Sequence, residues 1–177
     1  MAAIDQSMVQ AFIDAGANAP NTTAQGRALE DLICYVFEQV PGIAITRRNT
    51  TNVFQTEEVD VAFFNDGVAG GLPFLPDVIL IEAKNWSNRV GSAEVAWFDT
   101  KIKHRGLSFG ALVTTLGITG DGRQLTDAHS IVSAALKEQR RLIVITIAEI
   151  QALTDTDALV KLLKIKLCDL AVRGTSL

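Results

Sequence analysis

Glu82-Ala83-Lys84 ends an apolar run, Val78-Ile79-Leu80-Ile81, whose length and composition predict a buried β-strand. Side chains alternate on a pleated strand, so Glu82 and Lys84 share one face and Ala83 takes the other. Burying an unpaired charge costs several kcal/mol. Either the pair sits at the strand's exit into a polar cleft, or it holds a cation and an anionic substrate. A second acid, Asp60, lies on an earlier strand-like run, Glu58-Val59-Asp60-Val61-Ala62-Phe63-Phe64, and a third, Glu30, on an amphipathic helix before it. Two carboxylates with a strand carbonyl and waters supply the oxygen ligands that Mg²⁺ prefers. Such an ion activates water and stabilises charge on a phosphoryl group, and an adjacent lysine can orient the attacking water and hold the scissile phosphate.

The elements that position these groups follow from periodicity. Residues 5–15 predict a short helix and 24–40 the clearest one, with Leu29, Ile33, Val36 and Val40 at helical spacing behind Pro20-Asn21-Thr22-Thr23. At ~100° per residue, Glu30 falls at the edge of that apolar stripe, whereas Asp31 and Glu38 fall on the solvated side. It is either the acid that looks toward the sheet or an ordinary rim carboxylate. Strands are expected at 43–46, 59–64, 78–84, 109–114 and 142–147, with helices at 92–104, 125–139 and 157–172. A meander of three strands followed by strands joined through helices predicts an α/β fold, a mixed central sheet with helices on both faces. If the second and third strands pair, Asp60, Glu82 and Lys84 gather at one end of the sheet, with Glu30 covering them. Glu57 and Glu58, at the strand start, are expected to be solvated.

In this order, Glu, then Asp, then Glu-x-Lys, the chain resembles the PD-(D/E)xK superfamily of restriction-endonuclease-like nucleases, and its Mrr-like members in particular. The matching segments are Gly26-Arg27-Ala28-Leu29-Glu30, Glu58-Val59-Asp60-Val61 and Ile79-Leu80-Ile81-Glu82-Ala83-Lys84. The resemblance covers roughly residues 24–147 and implies an αβββαβ core. It implies that Asp60 and Glu82 are metal ligands for Mg²⁺ or Mn²⁺, Lys84 the catalytic lysine and Glu30 an accessory acid. The substrate it implies is DNA, in host defence, restriction or repair. Two departures stand out. Pro76-Asp77 has the literal dipeptide of the motif, yet Asp77 and Glu82 are five apart on one strand and point to opposite faces, so Asp60 is preferred. Some Mrr-like members carry a glutamine on the helix after the third strand. Here that helix has Glu94 and Asp99 and no glutamine, which leaves a fifth site residue open.

On the 92–104 helix, Val95, Phe98 and Ile102 form the expected buried stripe, and Trp97, Lys101 and His104 are expected together on the outward face. With Lys103, Arg105 and the upstream Trp86 and Arg89, this face fits either contact with a nucleic-acid backbone or, through Trp97, packing against a second subunit or a loop. Gly117-Ile118-Thr119-Gly120-Asp121-Gly122 lacks the lysine of a P-loop and the spacing of a dinucleotide fingerprint, and reads as a turn after the fourth strand. His104 and His129 are isolated, without zinc-type spacing.

The 177 residues, 48% of them hydrophobic, read as one nuclease-like domain over 1–177. The net charge of −4 argues against grip on nucleic acid through bulk positive charge, though not against a basic groove on an acidic body. No run approaches the ~20 apolar residues of a membrane helix, and no secretory leader pattern opens the chain. Cys34 and Cys168 are expected as free buried thiols of a cytoplasmic protein. A chain without a separate recognition domain is expected to work as a homodimer or larger homo-oligomer, or with a recognition partner. Two other function classes remain: a catalytically silent nuclease-like fold serving as a binding or assembly module, and an RNase.

Overall fold

Asn21 starts the first core helix by accepting the Ala24 N–H on its side chain at 2.9 Å, the cap chemistry its residue type suggests. In the computed structural model, which describes residues 2–52, 57–84 and 87–176, that helix is α2 (Thr22–Glu38), preceded by α1 (Gln6–Ala17). Then follow β1 (Ile43–Thr51), β2 (Glu58–Asn65), β3 (Val78–Lys84), α3 (Ser92–His104), β4 (Phe109–Thr114), α4 (Asp127–Lys137), β5 (Arg141–Thr146), α5 (Ile147–Gln151) and α6 (Thr156–Arg173). The strands form one five-stranded sheet in the order β1-β2-β3-β4-β5. β1-β2 and β2-β3 are antiparallel, and β3-β4 and β4-β5 are parallel. This is the expected α/β fold with a mixed sheet. The parallel steps require crossovers, and α3 and α4 supply them.

Two layers cover the sheet because β3 is apolar on both faces. Ile79 and Ile81 face α2, whose Phe37 stacks on Phe63 of β2 with ring centroids 5.5 Å apart. Leu80 and Glu82 face α3. Gly110, opposite Leu80 on β4, lets α3 approach closely: a Cβ there would meet Ile102 at 2.7 Å and Phe98 at 2.8 Å. That close approach sets the height of α3 over Glu82.

Two elements differ from expectation. β1 runs to Thr51 and not to residue 46, because the polar stretch Arg47-Arg48-Asn49-Thr50-Thr51 still pairs with β2 as a sheet edge, past an irregularity between Ile45 and Arg47. Edge strands need no apolar alternation when one face is solvated. The short α5 went unexpected. Its capping box is nonetheless in the sequence: Thr146 accepts from the Glu149 N–H, and the Glu149 carboxylate accepts from the Thr146 N–H.

Candidate active site

The hydrogen-bonded pairing of β2 with β3 runs from Phe64–Val78 to Val61–Ile81. One step further, the register sets Asp60 opposite Glu82 on the same face. There the Ala83 N–H donates to the Asp60 carboxylate at 2.8 Å. Two carboxylates thus meet where the strands begin to part. Asp60 is half-buried and Glu82 only 2% exposed.

Glu82 is held by two ammonium groups. Lys84 Nζ lies 3.0 Å from its Oε1, and Lys101 Nζ lies 2.7 and 2.8 Å from Oε1 and Oε2. This corrects the expectation for Lys101. It does not lie with Trp97 and His104 on the outer face of α3, but is 5% exposed and turned into the sheet. At ~100° per residue, Lys101 sits between Trp97 and the buried Phe98. From that boundary its long stem can reach inward, and the buried carboxylate supplies the reason to do so. Trp97 remains 46% exposed.

Asp60 is shifted by its surroundings. Burial, with the negative Glu82 beside it, raises the Asp60 carboxyl from its usual range to about 6, against the opposing Ala83 N–H and the two lysines. For Lys84, burial acts to lower the ammonium pKa, but the Glu82 carboxylate more than offsets it and holds the group above the ordinary lysine value. Lys84 is therefore a cation, one-third exposed, at the mouth of the site.

Glu30 lies on the α2 side and is buried. Asn49 Nδ2 donates to its Oε2 at 2.9 Å and Arg48 Nη2 at 3.3 Å; Arg48 also bonds Asp31 at 2.7 Å. The register of β1 sets Asn49 opposite Asp60. Its backbone is left-handed (φ 47°), a conformation that costs a non-glycine residue ~1 kcal/mol or more. Glu30, Asn49, Asp60, Arg27, Glu58 and Thr22 line a common cavity of about 300 Å³. Glu30 and Asp60 thus face one space, and Asp77 does not: it is exposed at the far end of β3.

The remaining expectations divide. Glu57 is not solvated but 5% exposed, bonded by His104 Nδ1 at 2.7 Å and by Arg105 Nη1. Burial opposes its ionisation, yet His104 and Arg105 together hold its carboxyl below the usual value. Arg105 is thereby withdrawn from the free surface where a backbone contact was expected. Lys103 is exposed beside Glu138 at 3.4 Å. Glu58 is exposed as expected, and Trp86 lies outside the described residues. Cys34 is a free buried thiol, whereas Cys168 is free but exposed, because α6 presents it away from the core.

The donor set fits a hard cation in part. Asp60 and Glu82 offer two carboxylates, and Mg²⁺ sites often use one or two with waters completing the shell. Both Glu82 oxygens already accept from Lys101, and among the described residues no three His, Cys, Asp or Glu side chains converge as a metal cage. Asp60 and Glu82 would be the residues to hold such an ion, whose charge would offset the burial and the neighbouring Glu82 that raise the Asp60 pKa. Lys101 was expected as a substrate-contacting residue on the outward face, and its inward contact with Glu82 was not expected. Its signal was its place next to the buried stripe, opposite a strand that carries a buried acid.

A family model described as restriction endonuclease, Mrr_cat, matches residues 22–163. No curated protein and no solved structure matches the chain.

Proposed function

Because the chain belongs to the Mrr_cat restriction endonuclease family, a nuclease family, we propose that it is a metal-dependent endonuclease that hydrolyses phosphodiester bonds of DNA. The observation that carries this reading is the meeting of Asp60, Glu82 and Lys84 where β2 and β3 part. Asp60 and Glu82 would hold Mg²⁺ or Mn²⁺. When bound, the ion supplies an activated water and charge stabilisation at the phosphoryl group. The Lys84 ammonium, fixed by Glu82, orients that water and neutralises charge developing on the phosphate oxygens. Lys101 positions the Glu82 carboxylate from the helix side, and so fills the place of the fifth site residue. Glu30, oriented by Asn49 and Arg48, faces the same cavity as Asp60 and serves as the accessory acid.

Free Cys34 and Cys168 support a cytoplasmic setting, and among the described residues no helix is long and apolar enough to cross a membrane. Recognition in this reading comes from a homodimer, a larger assembly or a partner protein, with defence, restriction or repair as the setting. The full clamp of Glu82 by Lys101 favours a second reading, a silent nuclease-like module. Plasmid DNA incubated with Mg²⁺, Mn²⁺ or EDTA separates the two. Nicking that needs the metal and is lost in Lys84→Ala supports hydrolysis. No cleavage and no Mn²⁺ heat in calorimetry supports the module. Parallel RNA and single-stranded DNA arms decide the polymer.

A further inference from the structure

Apart from the carboxylate centre, a cavity of about 970 Å³ opens beside the turn that follows β4. Arg89, Arg123 and Arg173 line it with His129, Thr175 and the Gly120-Asp121-Gly122 backbone. It lies at the carboxyl ends of β3 and β4, the rim that also carries Lys84, because the chain beyond the strands keeps their pairing. The Val90 N–H donates to the Gly117 carbonyl and the Thr119 N–H to the Val90 carbonyl, both at 2.9 Å.

Three arginines at one cavity stand out on a chain of net charge −4. Three arginines elsewhere are matched by acids, Arg48 by Asp31 and Glu30, Arg105 by Glu57 and Arg140 by Asp99 and Glu138, while Arg47 bonds the Thr46 carbonyl and Arg141 lies over the Phe109 ring. At this cavity, among the described residues, Arg89 touches only the Ile118 carbonyl, at 3.3 Å, and Arg173 holds Asp169 loosely at 3.4 Å. Among the described residues no side chain pairs with the Arg123 guanidinium. The single acid of the lining, Asp121, accepts the Arg123 backbone N–H at 2.7 Å.

The walls are built and not incidental. Gly120 takes φ +98°, and a Cβ there would meet the Thr126 carbonyl at 2.4 Å. A Cβ on Gly122 would crowd the His129 ring at 3.2 Å. The amides of both glycines find no acceptor among the described residues. His129, 3% exposed, bonds the Thr175 hydroxyl through Nδ1 at 2.7 Å, and burial lowers its pKa, so it lines the cavity as a neutral ring. Planar guanidinium forks with free backbone amides are the chemistry of phosphate recognition.

We infer that this cavity is a second phosphate site, which holds the nucleic-acid strand at phosphate groups away from the one being cut. The inference rests on the nuclease reading for its ligand. It explains how an acidic protein grips a polyanion: the positive charge is gathered at one rim and not spread over the surface.

The test is binding in EDTA, where no turnover is needed. Fluorescence polarisation of a labelled 20-mer DNA duplex, with and without a 5′-phosphate, is read across a salt series. The proteins compared are wild type, the double variant Arg89→Gln/Arg123→Gln, and a control that removes the same charge, Lys137→Gln/Lys161→Gln. The control residues lie on α4 and α6 away from the helix ends that reach the cavity. The cavity variant is expected to bind at least ~10-fold more weakly, and its log–log salt slope to fall by about one to two, as loss of two phosphate contacts requires. The control is expected to bind as wild type. Equal loss on both duplexes identifies internal phosphates, and a loss confined to the 5′-phosphorylated duplex a terminal one. A cavity variant that binds as wild type, or a control that weakens as much, overturns the site. Failure of the hydrolysis reading shows separately, as absence of Mn²⁺-dependent nicking by a wild-type protein that still binds through the arginines.

Discussion

Two buried carboxylates, one on β3 and one just before β2, are each held by two basic side chains, and only one of them belongs to a candidate active site. Glu82 is held by Lys84 and Lys101, and Glu57 by His104 and Arg105. Burial and pairing are alike. The difference lies in what stands opposite. Glu82 has Asp60 across the strand gap, a second acid raised to about 6, and Asp60 opens on a cavity shared with Glu30. Glu57 has no second acid among its described partners, and its carboxyl is held below the usual range. A clamped buried acid is thus a structural tie, and a clamped acid facing another acid is a place where chemistry is possible.

Removing chemistry should separate the two clamps most. Glu82→Ala or Lys84→Ala is expected to lower Mn²⁺-dependent plasmid nicking by about 10²–10⁴-fold, the range for loss of a group acting on the reacting atoms. Glu57→Ala should leave nicking within a few-fold. Initial rates at matched folded protein, checked by circular dichroism, read the contrast. Comparable loss in Glu57→Ala would erase it.

Stability should separate them next. Lys101→Met leaves Glu82 with one cation in a buried setting and is expected to cost about 3 kcal/mol in urea unfolding. Arg105→Met should cost less, because the Arg105 side chain is 21% exposed and His104 remains. An equal loss would mean that the two clamps are energetically the same.

Asp60 gives a pH signature that Glu57 cannot. Its folded pKa lies above the unfolded value, so the protonated form is the one the fold favours. The stability it contributes is complete below pH ~4 and is lost as pH rises through about 6. Asp60→Asn keeps an acceptor for the Ala83 N–H and removes the charge. The variant should therefore be more stable than wild type at pH 8, by about 1–2 kcal/mol, and show little gain at pH 4. Thermal melts across pH 4–8 check this, and a gain that does not depend on pH would contradict it. At the small end, Lys103→Ala breaks an exposed pair with Glu138 and should change stability by less than about 1 kcal/mol.

The strands and helices that carry the site were legible because their apolar periods are strong. β3 and β4 have the expected bounds, and Asp60, Glu82 and Lys84 meet as the strand pairing required. What was not legible depended on reach. Lys101 sits one helix step from a buried residue, and a four-carbon stem can satisfy either face, so the choice was made by an acid on another element. Glu57 looked solvated at a strand start because the helix end that covers it, His104 and Arg105, is 47 and 48 residues away in sequence. The left-handed turn of Asn49 toward Glu30 is likewise a tertiary choice: asparagine tolerates that conformation better than most residues, but nothing in Arg48-Asn49-Thr50 demands it.

Which aspartate answers a metal decides where the centre lies. Calorimetric titration with Mn²⁺ at pH 7, with a parallel melting curve, applies to wild type, Asp60→Asn and Asp77→Asn. The expected result is a saturable binding heat, proton release and a rise in Tm for wild type and Asp77→Asn, and loss of all three in Asp60→Asn. A metal response that survives in Asp60→Asn and disappears in Asp77→Asn would contradict the assignment of the centre to the gap between β2 and β3.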